Sequence, residues 1–474
     1  MFVCVMLAFA ATAGAEDRPN IIVIMADDHA QWALGAYGLN EIDTPSIDWL
    51  AAEGAQFANA MSPAPVCSAA RASFYTGKMP SQHGVHDFLS EQAEFDADWL
   101  DGERLLSERL NRLGYRVGLF GKWHATTNSK PPQPGFDRWL SYDPYEAGWQ
   151  NQYLHSGTVH FSSDGDDVRH TGVQARFLTD EAVRFIDDSA STPFFLSLNF
   201  VEPHAPFSGL PERLVSKYRQ LAKKLVRAGG SSRLPSRVNT TVPEDHPEQL
   251  AQYLAAINLI DEQVGRVVDA LHGRELIEKT VIVYTSDHGL LMGQYGLYGK
   301  TNATNPPNFY EETVRIPLVV LAPGMRKSQL RHEFVDLLDL HATVLDFASG
   351  GAINTTEDGP GRSLMPMLAG HRAIDWRSAQ TAERGNARMV TDGRWKLVRY
   401  YRRDGTFWDD WYDLVHPLGE RSAVAGPDTA TRESLTRTLV DFFTNYEAKE
   451  HSGTRIWDQP APNARMRADL ARAP

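Results

Sequence analysis

The chain has 474 residues, of which 42% are hydrophobic and 23% charged, a composition that excludes a disordered or fibrous protein. It carries 47 Lys and Arg against 60 Asp and Glu. The net charge of −13 argues against a nucleic-acid partner, because the phosphate backbone would repel the protein. With only two cysteines, a disulfide framework and cysteine-ligated zinc or iron–sulfur clusters are excluded as well.

An apolar run at residues 1–15 ends in Ala13-Gly14-Ala15, and such small residues are typical of a signal-peptidase site before Glu16. We therefore expect an exported protein, periplasmic or secreted; the alternative is a buried N-terminal helix. Cleavage would remove Cys4 and leave Cys67 as the single cysteine. Because no later apolar run reaches the ~18 residues of a membrane helix, we expect no stable membrane insertion.

Short β-branched runs alternate with amphipathic helical stretches from residue 20 to about residue 370. This alternation predicts an α/β fold, with a large, mostly parallel sheet covered by helices on both faces. In such folds ligands gather at the carboxyl ends of the strands. The expected strands lie at 20–25, 115–120, 194–200, 280–285 and 316–322. The expected helices begin at Pro45 and lie at 68–75, 105–113, 173–188 and 248–272.

Beyond about residue 370 the pattern changes to short strands at 389–391, 395–401 and 411–414, with an Asp392-Gly393 hairpin turn, followed by a helix at 430–447. It predicts a small antiparallel sheet with a helix, packed on the large domain. We expect a signal peptide at 1–15, a catalytic domain at 16–370, a C-terminal subdomain at 371–450 and a tail at 451–474.

Acidic residues follow two of the expected strands. Asp27 and Asp28 come directly after the first, and Asp287 and His288 come after the strand at 280–285. Carboxylates that converge at one edge of a sheet repel each other unless a cation lies between them, and oxygen ligands suit Ca²⁺ or Mg²⁺. The alternative is a helix N-cap beside a solvated carboxylate.

Cys67 stands at the start of an expected helix, four residues before Arg71 and on the same helical face. A helix N-terminus and a nearby guanidinium both stabilise an anion. The residues therefore predict a thiolate nucleophile or an oxyanion site, whereas a small buried core cysteine is the alternative.

Residues 67–77, CSAARASFYTG, resemble the signature of the formylglycine-dependent sulfatases of the alkaline phosphatase superfamily. Further segments are similar to that family in the same order along the chain, and together they cover about residues 18–425. These segments are 18–28, 121–124, 202–207, 286–289, 299–300 with 310–318, and 411–414.

The resemblance implies a sulfuric ester hydrolase in which a maturation enzyme converts Cys67 to formylglycine (3-oxoalanine). Ala69 departs from the proline often found at the third motif position, and maturation enzymes differ in tolerating alanine there. One Ca²⁺ is implied, with the metal ligands Asp27, Asp28, Asp287, His288 and modified Cys67; a His288 that only hydrogen-bonds the site is the alternative. Hydrated formylglycine would attack sulfur.

The resemblance also implies roles for the basic residues of the site. Arg71, Lys122 and Lys300 would surround formylglycine and the sulfate oxygens, where their charge stabilises the transition state. His204 with Lys300 would protonate the leaving oxygen, and His124 would take the proton from the second hydroxyl of formylglycine.

The expected substrate is a sulfated poly- or oligosaccharide, because residues 297–312 look like relatives that act on ulvan or glycosaminoglycans. Candidate residues for the rim of the substrate pocket are His83, His86, Trp149, His155, Tyr295 and Asn302. Two alternatives remain: a phosphodiester or phosphonate monoester hydrolase with the same machinery, and an inactive homologue that binds sulfated glycans.

Overall fold

The computed structural model describes residues 18–89, 100–143, 152–189, 191–228, 240, 242–325, 328–352, 359–416 and 419–458. Within them, the large sheet has ten strands in the order β12-β2-β11-β8-β1-β7-β3-β4-β5-β6. These strands are β1 (Asn20–Ala26), β2 (Ala55–Met61), β3 (Arg116–Gly121), β4 (Arg138–Tyr142), β5 (Ser156–Ser163), β6 (Asp166–Val173), β7 (Phe194–Asn199), β8 (Thr280–Ser286), β11 (Leu318–Leu321) and β12 (Gln329–Asp336). The short strands β9 (Leu291–Met292) and β10 (Tyr298–Gly299) form a separate antiparallel pair.

Strand β1 lies at the centre of the sheet and pairs in parallel with β7 on one side and β8 on the other. All seven of its residues are buried, which agrees with its unbroken apolar run and with a strand covered on both faces. Alternate side chains point to opposite faces, so Ile22 and Ile24 enter one hydrophobic core while Ile21 and Val23 enter the other.

Helices cover both faces of the sheet, as the alternating pattern predicts, and the predicted fold class is confirmed. In the part of the chain that the structure describes, the helices of this domain are α1 (Pro45–Glu53), α2 (Cys67–Thr76), α3 (Pro80–His83), α4 (Leu106–Arg112), α5 (Gln174–Asp188), α6 (Glu212–Ala228), α7 (His246–Gly273), α8 (Glu311–Val314), α9 (Leu337–Ser349) and α10 (Met365–Leu368). Helices α5, α6 and α7 pack on one core, and α2, α4 and α9 pack on the other.

The expected strand at 316–322 is shorter in the structure and runs antiparallel to both of its neighbours, as β11 between β8 and β2. Neither β2 nor the β5–β6 hairpin was expected from the sequence. Each of these strands has several partly or fully exposed positions, so it lacks the continuous apolar run that marks the central strands.

The C-terminal sheet is antiparallel, in the order β13 (Gln380–Arg384), β14 (Ala387–Thr391), β15 (Trp395–Tyr401) and β16 (Phe407–Asp413), and helix α11 (Thr429–Asn445) packs on it. The expected hairpin turn at Asp392-Gly393 joins β14 to β15. The first residues of the predicted tail, 451–458, are packed rather than loose: Ser452, Gly453 and Ile456 are buried. The domain boundaries themselves stay a prediction. Among the described helices, none is long and apolar enough to cross a membrane.

Candidate active site

Two pairs of polar residues directly follow two central strands of the large sheet and lie side by side at its carboxyl edge. Asp27 and Asp28 follow β1, and Asp287 and His288 follow β8, whose last residue lies opposite the last residue of β1. All four side chains are buried. The backbone N–H of Asp28 donates a 3.2 Å hydrogen bond to Asp287 Oδ1, which joins the two turns. This hydrogen bond also holds Asp28 in the left-handed region, at a φ of 67°.

The structure brings together ligand atoms of Asp27, Asp28, Cys67 and His288, which all lie within 4.8 Å of one another. His288 Nε2 is 3.3 Å from Cys67 Sγ and 3.4 Å from the nearer oxygen of Asp28. Asp287 lies beside this group rather than inside it, because its Oδ2 accepts a 3.0 Å hydrogen bond from Arg71 Nε. Of the five expected metal ligands, four therefore converge on one point and Asp287 supports them.

The charges of this group fit a bound divalent cation. Asp27 Oδ1 is buried and has no hydrogen-bond partner among the described residues, as expected of an oxygen meant for a metal. Burial lowers the pKa of His288, but the negative charges of Asp287, Cys67 and Asp28 together outweigh it, and the pKa rises to about 9. Without an ion, a proton on His288 supplies positive charge that a metal would bring. Carboxylate oxygens are the ligands that Ca²⁺ and Mg²⁺ prefer.

Three cationic side chains surround the carboxylates. Lys122 is buried and forms an ion pair with Asp27. Lys300 Nζ lies 2.6 Å from Asp28 Oδ1 and 2.9 Å from Cys67 Sγ. Arg71 binds Asp287 and also donates a 2.9 Å hydrogen bond to the carbonyl of Lys122. These positions agree with the sequence expectation that all three cations face one anionic centre.

Cys67 is the first residue of α2 and is completely buried. Burial raises the pKa of its thiol, but Lys122, Lys300 and His288 outweigh burial and hold the pKa well below its ordinary value. The positive end of the α2 dipole acts in the same direction. A negatively charged or strongly polarised group is therefore stabilised at position 67, as a nucleophile requires.

His124 lies next to the cysteine and is buried. Its Nε2 donates a 2.9 Å hydrogen bond to the carbonyl of Leu89 and lies 3.1 Å from Ser68 Oγ. Burial and the charge of Lys122 lower the pKa of His124 to about 4, so the ring is neutral. With the proton on Nε2, the ring keeps a lone pair on Nδ1 that can accept a proton, and a side-chain hydrogen bond links the ring to Cys67.

His204 and Lys300 stand where the site opens to solvent, and the side chain of each is 16% exposed. His204 Nε2 is 3.6 Å from Asp28 Oδ2, while its Nδ1 hydrogen-bonds the carbonyl of Ala205. The other residues of the centre are buried, so these two side chains border its opening.

Three of the six expected rim residues are buried and hydrogen-bonded inside the protein, and their binding of substrate stays a prediction. His83 Nε2 bonds Ser73 Oγ at 3.1 Å, His86 Nε2 donates to the carbonyl of His451 at 2.6 Å, and His155 Nε2 donates to the carbonyl of His204 at 2.7 Å. Each is at most 2% exposed. Their hydrogen bonds hold chain segments together. In the sequence such a histidine looks like one that binds substrate, because its hydrogen-bond partner is known only from the tertiary structure.

The other three rim candidates have different outcomes. Asn302 Oδ1 accepts a 3.3 Å hydrogen bond from the backbone N–H of Lys300, which places it beside a residue of the site. Tyr295 packs against Tyr310, with ring centroids 4.8 Å apart, in the turn between β9 and β10. Trp149 lies outside the described residues. Binding of substrate by Asn302, Tyr295 and Trp149 stays a prediction.

Sequence reasoning missed residues that contact the site from distant parts of the chain. The ring of Tyr153 stacks on His204, and Lys122 Nζ lies over the same ring. Arg384 of β13 reaches Thr301, the residue after Lys300. None of them belongs to a motif, so no signal in one sequence marks them.

Comparison with known proteins assigns this site to a family. A family model described as Sulfatase matches residues 19–351, and a model described as N-sulphoglucosamine sulphohydrolase, C-terminal, matches residues 293–445. The first of these spans more than half of the chain and includes every residue of the centre described above.

Individual relatives are similar along most of their length. The N-acetylglucosamine-6-O-sulfatase of Bacteroides thetaiotaomicron is 26% identical, over 76% of this chain and 73% of its own. The choline-sulfatase of Rhizobium meliloti is 28% identical, over 96% of this chain and 90% of its own. Among solved structures, the YidJ protein of Bacteroides fragilis has a TM-score of 0.77 at 25% identity, covering 94% of this chain and 99% of that one.

Proposed function

The chain belongs to the sulfatase family and is a sulfuric ester hydrolase, and from this premise we propose that it removes sulfate from sulfated poly- or oligosaccharides with a nucleophile made from Cys67. The observation that carries the proposal is the convergence of Asp27, Asp28, Cys67 and His288 within 4.8 Å, with Lys300 Nζ 2.9 Å from the sulfur. Such a centre combines an anion-binding pocket with a potential metal site.

We assign one Ca²⁺ to this centre, held by Asp27, Asp28, His288 and residue 67, with Asp287 supporting the ligands through its hydrogen bond to Asp28. A bound ion would lower the pKa of the nucleophilic hydroxyl and screen the charge of the sulfate. The Asp27 oxygen that has no hydrogen-bond partner among the described residues and the carboxylate oxygens of the group support this assignment.

Cys67 is the residue that a maturation enzyme would oxidise to formylglycine, whose hydrated form would supply a hydroxyl to attack sulfur. Its complete burial beside three cations supports a chemical role, since a structural cysteine needs only apolar neighbours. Lys122 and Lys300 would then stabilise the charge that builds up on the sulfate oxygens, and Arg71 would hold Asp287 and the Lys122 backbone in place.

Two histidines would move the protons. His204, at the opening, would donate a proton to the leaving oxygen as the S–O bond breaks and its electron pair passes to that oxygen. His124 is neutral and buried next to residue 67, so it would accept the proton of the second hydroxyl and allow sulfate to leave.

A carbohydrate substrate is supported by the similarity to an N-acetylglucosamine-6-O-sulfatase. The test is sulfate release from a panel of sulfated amino sugars, ulvan and glycosaminoglycan oligosaccharides, with choline sulfate and an aryl phosphate diester beside them and Cys67→Ala as the control. We expect release from a sugar to be fastest. Faster turnover of choline sulfate would contradict the sugar assignment alone, and faster turnover of the diester would contradict the preference for sulfate.

Export to the periplasm or the medium is part of the same proposal, because a polymeric substrate is met outside the cytoplasm. The apolar run at residues 1–15 supports it. N-terminal sequencing of the protein from its native host tests this: a first residue of Glu16 is expected, and a retained apolar run in a cytoplasmic fraction would contradict export.

A further inference from the structure

One aromatic ring joins two basic residues of the active site. The ring of Tyr153 is stacked on the imidazole of His204, with centroids 4.3 Å apart and an angle of 20° between the planes. Lys122 Nζ lies 4.8 Å from the centroid of the same ring. Tyr153 is 4% exposed, so its ring is enclosed by protein and can hold its neighbours in a defined geometry.

The same chain segment also anchors the backbone of His204. His155, two residues after Tyr153, donates from Nε2 a 2.7 Å hydrogen bond to the carbonyl of His204. It is buried, so this bond is made without competition from bulk water. The segment therefore holds His204 at two points, the face of the imidazole and the main-chain carbonyl.

The orientation of His204 matters for proton transfer. Its Nδ1 hydrogen-bonds the carbonyl of Ala205, which leaves Nε2 as the atom that can deliver a proton to the substrate. In the observed orientation Nε2 lies 3.6 Å from Asp28 Oδ2, so the ring directs this atom into the centre, and a rotation of the ring would turn it away from the reacting group. A stacked aromatic neighbour restricts that rotation, because tilting the imidazole would lose the face-to-face contact.

Lys122 contributes by fixing the tyrosine ring. An ammonium group over the face of an aromatic ring is attracted by the negative charge of that face. Because Lys122 is itself held by its ion pair with Asp27, the position of the ring is set by the deepest part of the site. The contacts thus run from Asp27 through Lys122 and Tyr153 to His204.

We propose that Tyr153 is a positioning residue for leaving-group protonation: its ring, fixed by Lys122, holds the imidazole of His204 in the plane from which Nε2 donates to the departing alcohol. This inference rests on the proposed role of His204 as the proton donor. It predicts that loss of the ring lowers kcat/KM most for substrates whose leaving oxygen has the greatest need for a proton.

The experiment compares two aryl sulfates. 4-Nitrophenyl sulfate has a stable leaving group that departs without protonation, whereas phenyl sulfate has a more basic one that needs it. We expect Tyr153→Leu to lower kcat/KM for phenyl sulfate about tenfold more than for 4-nitrophenyl sulfate, a part of the 10²–10⁴-fold that general acids contribute. Tyr153→Phe retains the ring and should leave the ratio between the two substrates within about twofold of wild type.

His204→Gln is the control that separates this inference from the proposed function. It should lose phenyl sulfate turnover more strongly than Tyr153→Leu does. Equal losses on both substrates in His204→Gln would overturn the role of His204 and the inference with it. A substrate-dependent loss in His204→Gln but equal losses in Tyr153→Leu would overturn the role of Tyr153 alone.

Folding is checked by thermal unfolding of each variant. If Tyr153→Leu does not fold, Tyr153→Met, whose flexible unbranched side chain has no ring, takes its place and must show the same ratio. A purely structural role of the ring would lower the two activities in parallel in Tyr153→Leu, and this result would contradict the proposal.

Discussion

Arg384 and Thr301 are joined by a 2.9 Å hydrogen bond that connects the C-terminal sheet to the active site. Thr301 follows Lys300 directly, and its hydroxyl donates a 3.2 Å hydrogen bond to the carbonyl of Pro65, two residues before Cys67. Arg384 also forms a buried ion pair with Asp87 at 2.9 Å. One arginine of the small sheet thus contacts Asp87 directly and the segment that precedes Cys67 through Thr301.

We therefore predict that Arg384→Met lowers kcat for sulfate esters about tenfold or more and destabilises the fold by about 3–5 kcal/mol, because Asp87 would be left as a buried unpaired charge. Steady-state kinetics and denaturant unfolding measure the two effects. Arg394→Met is the matched control, since Arg394 is mostly exposed and 4.0 Å from Asp413. A wild-type kcat in a folded Arg384→Met protein would show that the contacts of Arg384 do not support the active site.

A divalent cation should stabilise the folded chain as well as activate it. We expect a chelator to abolish sulfatase activity and Ca²⁺ to restore it. At 100 times its dissociation constant, the ion should add about 2.7 kcal/mol to the free energy of unfolding. Asp28→Asn should lose most of this stabilisation, which thermal unfolding with and without Ca²⁺ measures. If Ca²⁺ stabilised Asp28→Asn and wild type against thermal unfolding by the same amount, the metal would bind elsewhere.

The active preparation should contain an aldehyde at position 67. We expect the tryptic peptide that contains Cys67 to have the mass of formylglycine and to react with hydroxylamine, as a thiol would not. Cys67→Ala should lose at least 10³-fold in kcat, since nucleophilic catalysis is removed entirely. Full activity in a preparation whose Cys67 is a plain thiol would contradict the proposed nucleophile.

Acid should destabilise the fold through buried neutral histidines. Burial, which outweighs the hydrogen bond to the carbonyl of His451, lowers the pKa of His86 from 6.5 to about 4. Between these values the unfolded chain binds more protons, so this contribution is complete above pH 6.5 and is lost as the pH falls toward 4.

His86→Gln should therefore flatten the fall of the unfolding free energy from pH 6.5 to 4.5 by about 1–3 kcal/mol, while an amide can still donate to His451. His332→Gln, at an exposed histidine, is the control and should leave the slope unchanged. Parallel pH profiles of His86→Gln and wild type, measured by urea unfolding, would show that His86 does not carry the effect.

Much of the catalytic centre could be predicted before the structure was known. Asp27, Asp28, Asp287 and His288 follow apolar strands, and the carboxyl ends of parallel strands meet at one edge of a sheet, so their convergence follows from local sequence. Cys67 and Arg71 share a helical face for an equally local reason. The sequence by itself thus determined the fold class, the position of the site and the chemistry of its deepest groups.

Only the tertiary structure decided which residues hold those groups in place. Tyr153 contacts Lys122 and His204, and Arg384 contacts Asp87 and Thr301, through pairings of segments that are far apart in the chain. The hydrogen-bond partners of the buried histidines at 83, 86 and 155 also come from other segments of the chain. Periodicity and motifs indicate which face of a helix or strand is buried. They do not indicate the partner of a buried polar side chain, because that partner depends on how the two sheets and their loops pack together. Every buried polar group must find a hydrogen bond at the place it occupies in the folded protein.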